Sequence, residues 1–283
     1  MLYQDIYNNI YQKIYKIKNL FVFFALICFG VSLTACHENS SGGVERAFFV
    51  NPETRSGAAW SENGDLLARY EYQIPVMTAY RRDGADFAVE RAENETDRLS
   101  VAEIFNTEFQ QWTDSLDFPA MENAARLAYQ RRAELGQAWE AGYYQNLNCE
   151  IYQNGRLVSV AAEFDYFDGG AHMKKMLFGW NFDIRSGRFF NAGDLFDDTS
   201  VITKELIRQA SERGGLDDNY ADILTYWSDS TAAVTFRADC VTIAYSPYDL
   251  TASYDAGPQI FTVDWEKLEP CLNEYGKKLL SGE

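Results

Sequence analysis

Apolar positions in this chain form one continuous run near its start and regular periods after it. The run is Leu20-Phe21-Val22-Phe23-Phe24-Ala25-Leu26-Ile27-Cys28-Phe29, set behind Lys13, Lys16 and Lys18 and ahead of Leu33-Thr34-Ala35-Cys36. It is apolar on every side, which fits neither an amphipathic helix nor an alternating strand. A basic segment, a short apolar segment and a small-residue cleavage site predict a secretory signal peptide over residues 1–35. The sixteen residues 20–35 fall short of a spanning helix, which needs roughly 20 apolar residues. Ahead of the run, Tyr3, Ile6, Tyr7, Ile10, Tyr11, Ile14 and Tyr15 form an unusual alternation.

Beyond it, His37-Glu38-Asn39-Ser40-Ser41-Gly42-Gly43 predicts a flexible tether. Residues 44–60, with Pro52, Ser56 and Gly57, are expected to lie loosely on the domain. Residues 70–76 alternate and predict a strand, with Pro75 marking an edge or a strand end. Ser100 with Glu103 forms a capping-box pattern ahead of Val101, Ile104, Phe105, Phe109, Trp112 and Leu116 at helical spacing. A second helix is predicted over 119–135, stopped by Gly136.

From Tyr143 the period becomes two. Strands over 144–153 and 156–167 flank Asn154-Gly155, a strong hairpin signal. A third strand over 173–184 follows Asp168-Gly169-Gly170, and Arg185-Ser186-Gly187 turns it into Arg188-Phe189-Phe190. Helices are predicted near 201–213 and 218–228, a hairpin over 233–246 turning near Asp239, and a strand over 259–263. A terminal amphipathic helix would present Leu268, Leu272, Tyr275 and Leu279 on one face. Antiparallel pairing with segregated helices predicts an α+β class of two adjoining modules, meander and hairpins packed on a few amphipathic helices.

Composition narrows the partners. Removing residues 1–35 takes away three Lys and one Asp, leaving 22 basic and 41 acidic residues, a formal charge of −19. That excludes nucleic acid and anionic lipid as natural partners and suits a basic one. The 19 Phe, 18 Tyr and 6 Trp supply core material and rings that can stack on sugars. After Cys36 only Cys149, Cys240 and Cys271 remain, an odd count that permits at most one disulfide.

Leu33-Thr34-Ala35-Cys36 resembles a bacterial lipobox, with cleavage between Ala35 and Cys36 and diacylglycerol carried on the Cys36 thiol. The chemistry calls for cysteine because a thiolate is the nucleophile. The implied location is the outer face of the cytoplasmic membrane, or the outer membrane where a cell has one. Histidines are only His37 and His172. A hydrolytic triad would therefore use His172, yet no Gly-x-Ser-x-Gly elbow accompanies it. His172 with Asp165 and Asp168 is a thin version of a zinc ligand set. No phosphate loop or dinucleotide fingerprint occurs. Acidic pairs such as Asp197/Asp198 and Asp217/Asp218 are expected by chance in so acidic a chain. No cofactor, resident metal or catalytic residue is assigned.

Further patterns are Tyr166-Phe167-Asp168-Gly169-Gly170-Ala171-His172, Asn181-Phe182-Asp183-Ile184-Arg185-Ser186-Gly187-Arg188 followed by Asp194-Leu195-Phe196, Tyr245-Ser246-Pro247-Tyr248-Asp249-Leu250, and Tyr254-Asp255-Ala256-Gly257-Pro258-Gln259-Ile260-Phe261. In this order they resemble the RsiV-type extracellular domain, a module of a lysozyme-sensing anti-sigma factor. Residues 61–173 resemble its companion module, also found in the peptidoglycan deacetylase PdaC, with the RsiV-type module over 174–283. The 19 residues before Leu20 are too few for a sigma-binding domain, and nothing in the chain resembles the deacetylase's metal-dependent domain. The resemblance implies a non-enzymatic, lipid-anchored envelope protein that binds lysozyme-like muramidases. A peptidoglycan-binding lipoprotein and an envelope hydrolase using His172 and nearby Asp are the alternatives. Tyr248 and Tyr254, in the segment between two predicted strands, join His172 as binding candidates because loops carry function more often than core strands.

Overall fold

The computed structural model describes residues 46–83, 86–89, 100–214, 216, 220–228, 232–251 and 254–282. Residues 45–283 form one compact unit. The class is α+β: a seven-stranded sheet, a three-stranded sheet and short helices.

The large sheet contains β1 (Arg46–Trp60), β2 (Leu66–Asp83), β3 (Asp86–Val89), β4 (Tyr143–Gln153), β5 (Leu157–Phe167), β6 (Lys174–Asp183) and β7 (Arg188–Phe189). Its order is β1-β2-β4-β5-β6-β7, with β3 also on β2. Residues 44–60 were expected to be loose. Residues 46–60 instead form β1, which pairs with β2 along its whole length. Pairing there is carried by backbone, and eight of the ten residues from Asn51 to Trp60 are exposed, all but Gly57 and Ala59. Pro75 faces Pro52 across this ladder. Two prolines can oppose each other only at a pair that exchanges no hydrogen bonds, so the missing donor of Pro75 points the other way. There the β4 pairing has already ended, at Tyr72. Pro75 is thus a local edge inside a long strand.

Strands were expected to pair antiparallel throughout. β2 and β4 are parallel, with Ala68–Tyr72 beside Tyr143–Leu147. Parallel neighbours need a long connection, here α1 (Val101–Asp114) and α2 (Phe118–Glu134). Ser100 caps α1 with the full capping box: its hydroxyl accepts from the Glu103 amide and the Glu103 carboxylate accepts from its own. The sheet packs on Phe105, Phe109 and Trp112 of α1 through Tyr72, Ile74, Leu147, Val160 and Phe182. A small second cluster sets Ala125 of α2 against Ala59, Leu67 and Ala68. The hairpin and meander expected over 144–190 are present, and the 173/174 division falls between β5 and β6, which pair over Leu157–Tyr166.

The third core lies under the small sheet, β8 (Ala233–Phe236), β9 (Cys240–Tyr245) and β10 (Gln259–Asp264). It is covered by α3 (Ser200–Arg213), α4 (Tyr220–Thr225), α5 (Trp265–Leu268) and α6 (Glu274–Ser281), around Leu206, Trp227, Phe236, Ile243 and Phe261. The terminal helix predicted as continuous is broken. Pro270 lacks the amide a helix interior requires, and Glu269–Cys271 is a 3-10 turn. Leu272 is extended and bridges Phe196 before α6 begins.

Side-chain amides complete several strand edges. Gln153 donates to the Phe48 carbonyl and accepts from the Val50 amide. Asn106 of α1 accepts from the Met77 amide at 2.7 Å and donates to its carbonyl at 2.9 Å. β8 crosses β5 and β6 on a buried seam. There Asn181 donates to the Val234 carbonyl at 2.9 Å, Ser159 accepts from the Phe236 amide at 2.8 Å, and Ser159 donates to Asn181 at 2.7 Å. The approach is close because position 179 is Gly: a Cβ there would lie 2.8 Å from both the amide nitrogen and the carbonyl oxygen of Val234.

Candidate functional site

The turn between β5 and β6 carries His172, and the segment between β9 and β10 carries Tyr248 and Tyr254. Gly169 makes the first turn possible. Its φ is +83°, and a Cβ there would run into the Tyr143 hydroxyl. The second segment is tied to the sheet by Ser246, whose hydroxyl accepts from the Leu177 amide of β6 at 2.9 Å. Asp249 closes the local turn: its carboxylate accepts from the Ser246 amide at 2.9 Å and its own amide donates to the Ser246 carbonyl at 3.1 Å. Tyr248 between them has φ +75°, a conformation that costs a bulky residue free energy and clusters at functional sites.

These two connections bring all three sequence candidates together. The His172 and Tyr254 rings are stacked, centroids 4.4 Å apart and 17° from parallel, and Tyr248 lies 5.8 Å from Tyr254. His172 is exposed, Tyr254 half-buried and Tyr248 51% exposed. Beside this column the sheet presents Glu163 and Asp165 of β5 with Lys175 of β6, directly opposite Asp165. Lys175 pairs with Glu163 and stands 3.5 Å from Asp165. Burial, opposed by Lys175 and reinforced by Glu163, holds the Asp165 carboxyl above the usual carboxylate range. Burial and then the Asp165 charge raise the hydroxyl of Tyr254, and they raise that of Tyr144 as well, with Arg69 opposing. Both tyrosines therefore feel one carboxylate.

The thin zinc set does not assemble. Asp168 pairs with Lys174 at 2.7 Å, the His172 Nδ1 lies 3.1 Å from the Met173 carbonyl, and no group of three or more His, Cys, Asp or Glu converges among the described residues. Asp198 serves as a local cap, accepting from the Ser200 amide. Cys149, Cys240 and Cys271 are free thiols, and burial pushes the Cys149 thiol up to about 12. Ala35, Cys36, His37 and the Asp217/Asp218 pair lie outside the described residues. No helix among the described residues is long and apolar enough to cross a membrane.

Sequence reasoning missed the sheet face next to this column. Tyr144, Asn146 and Asn148 of β4 project opposite to the core residue Leu147, beside Arg69 and Glu71 of β2. The signal was present as polar residues at every second position of a strand.

No protein-family model matches the chain, and no curated protein matches it. Solved structures do. A member of the DUF3298 family from Bacteroides fragilis NCTC 9343 aligns over 85% of this chain and 98% of its own, with a TM-score of 0.54 at 16% identity. A DUF3298 family protein from Pseudomonas aeruginosa PAO1 aligns over 81% of this chain and 95% of its own, with a TM-score of 0.42 at 16% identity. The structural neighbours are DUF3298 family proteins, and what this chain shares with the Bacteroides protein is the fold.

Proposed function

We propose that this chain is a lipid-anchored, non-enzymatic binding protein of the bacterial envelope, and that its partner is a lysozyme-like muramidase. The observation that carries this reading is the stacked column of His172, Tyr254 and Tyr248 beside Asp165. Tyrosine rings held by stacking offer amphipathic contact area at little cost in side-chain entropy. Carboxylates at the rim of such a patch suit a basic partner. The formal charge of −17, or −19 without residues 1–35, extends that complementarity over the whole molecule and would raise the association rate in a salt-sensitive way. Diacylation of Cys36 would supply the two acyl chains that stable anchoring requires.

The test is calorimetric titration with a c-type lysozyme at low and at moderate salt. Saturable binding that weakens with salt is expected, and Tyr254→Ala or Tyr248→Ala should weaken it about tenfold. No binding at either salt would refute the partner. Binding indifferent to both tyrosines would refute the site.

A further inference from the structure

Beyond the muramidase contact, and independently of it, we infer that the polar face over the parallel β2–β4 seam is a second binding site, for a neutral acetamido-sugar chain. Arg69, Glu71, Asn146 and Asn148 line an open pocket of about 220 Å³ there. No element among the described residues packs over this face. α1 packs on the opposite side, where Leu147 and Tyr72 lie, and β8 crosses the sheet at β5 and β6.

Among the described residues, none of these four side chains makes a hydrogen bond or ion pair with another residue. Four other arginines are held in ion pairs: Arg156 with Asp183, Arg208 with Glu205 and Glu212, Arg126 with Glu122, Arg237 with Glu150. Arg69 reaches only over the Tyr144 ring, 5.9 Å from its centroid. Four strong hydrogen-bonding groups thus share one concavity with their capacity facing solvent.

Their chemistry selects the ligand. One cation and one anion leave the pocket neutral, which disfavours a charged guest. A guanidinium gives donors, a carboxylate gives acceptors, and each carboxamide gives both. That mixture matches a pyranose carrying hydroxyls and an acetamido group, itself one donor and one acceptor. Tyr144, opposite Arg69 on the same face, places an aromatic ring beside the pocket.

The experiment titrates the full chain, in a polyoxyethylene detergent without sugar headgroups, with the β-1,4-linked tetramer of N-acetylglucosamine. Saturable binding is expected. Asn146→Ala combined with Asn148→Ala should weaken it about tenfold or more, with the thermal midpoint unchanged because neither amide is bonded within the fold. Tyr248→Ala should leave sugar binding intact. No saturable binding at millimolar sugar, or affinity unaffected by the double substitution, would overturn the inference. Loss of sugar binding in Tyr248→Ala would also overturn it by moving the sugar to the aromatic column. Because lysozyme and sugar are titrated separately, failure of one leaves the other standing.

Discussion

Replacing Asn181 by alanine tests how the two sheets are joined. Asn181 and Ser159 are 5% and 1% exposed and supply hydrogen bonds to β8 that no strand provides. The substitution removes the donor to the Val234 carbonyl and the acceptor for the Ser159 hydroxyl. A buried group left without a partner costs about 1–3 kcal/mol, so two should cost roughly 2–6 kcal/mol. For a fold of this size, at about 2–4 °C per kcal/mol, that is a fall of roughly 4–24 °C in the thermal midpoint. Urea unfolding followed by far-UV circular dichroism would measure it, with exposed Asn148→Ala as a control expected within about 0.5 kcal/mol of the parent. The double-mutant cycle with Ser159→Ala should show coupling of about 0.5–3 kcal/mol, since the two residues bond each other. A loss below about 1 kcal/mol, or strict additivity, would refute the idea that this seam holds the sheets together.

Gly179→Ala should destabilise by about 1–3 kcal/mol, because the new Cβ meets β8 backbone and not a movable side chain; an unchanged denaturation midpoint would show that β8 can retreat. Asp183, 1% exposed, is strongly opposed by burial, yet hydrogen bonds from Arg156 and Ser186, the Arg156 charge and the Arg185 amide hold its carboxyl below the usual range. A depressed folded-state value stabilises above the unfolded pKa, about 3.9, and that contribution fades as pH falls through the folded value. Asp183→Asn should therefore lower stability at pH 7 and flatten its decline below about pH 4 in acid titrations followed by circular dichroism. Cys36→Ala should abolish incorporation of radiolabelled fatty acid; a mutant that still takes up label would refute the lipobox.

Much of the architecture was legible where local chemistry is self-contained. The Ser100/Glu103 box, the Asn154 turn and the period of two in β4 to β6 each fix their element within a few residues. β1 was not legible, because Asn51 to Ser56 are polar and exposed and the strand exists only through its long ladder with β2. The parallel β2–β4 pair is a matter of topology, which periodicity does not encode. The break at Pro270 was readable, but the apolar spacing of Leu268, Leu272, Tyr275 and Leu279 obscured it. At the site, loop placement pointed to His172, Tyr248 and Tyr254. Their stacking depends on two distant connections meeting, and the unengaged Arg69, Glu71, Asn146 and Asn148 become conspicuous only once β2 and β4 are neighbours.

The amide clips at Gln153 and Asn106, with the Ser159–Asn181 seam, have a consequence for how copies of this protein coexist. An uncapped strand edge is a template on which another chain can grow, and crowding multiplies the encounters. A carboxamide already seated on the Met77 or Phe48 and Val50 peptide groups blocks that growth without adding charge or length to the strand. At Phe48, Val50 and Met77 the rim therefore offers a neighbouring copy no free peptide group to pair with, and removing one of these amides would reopen it there.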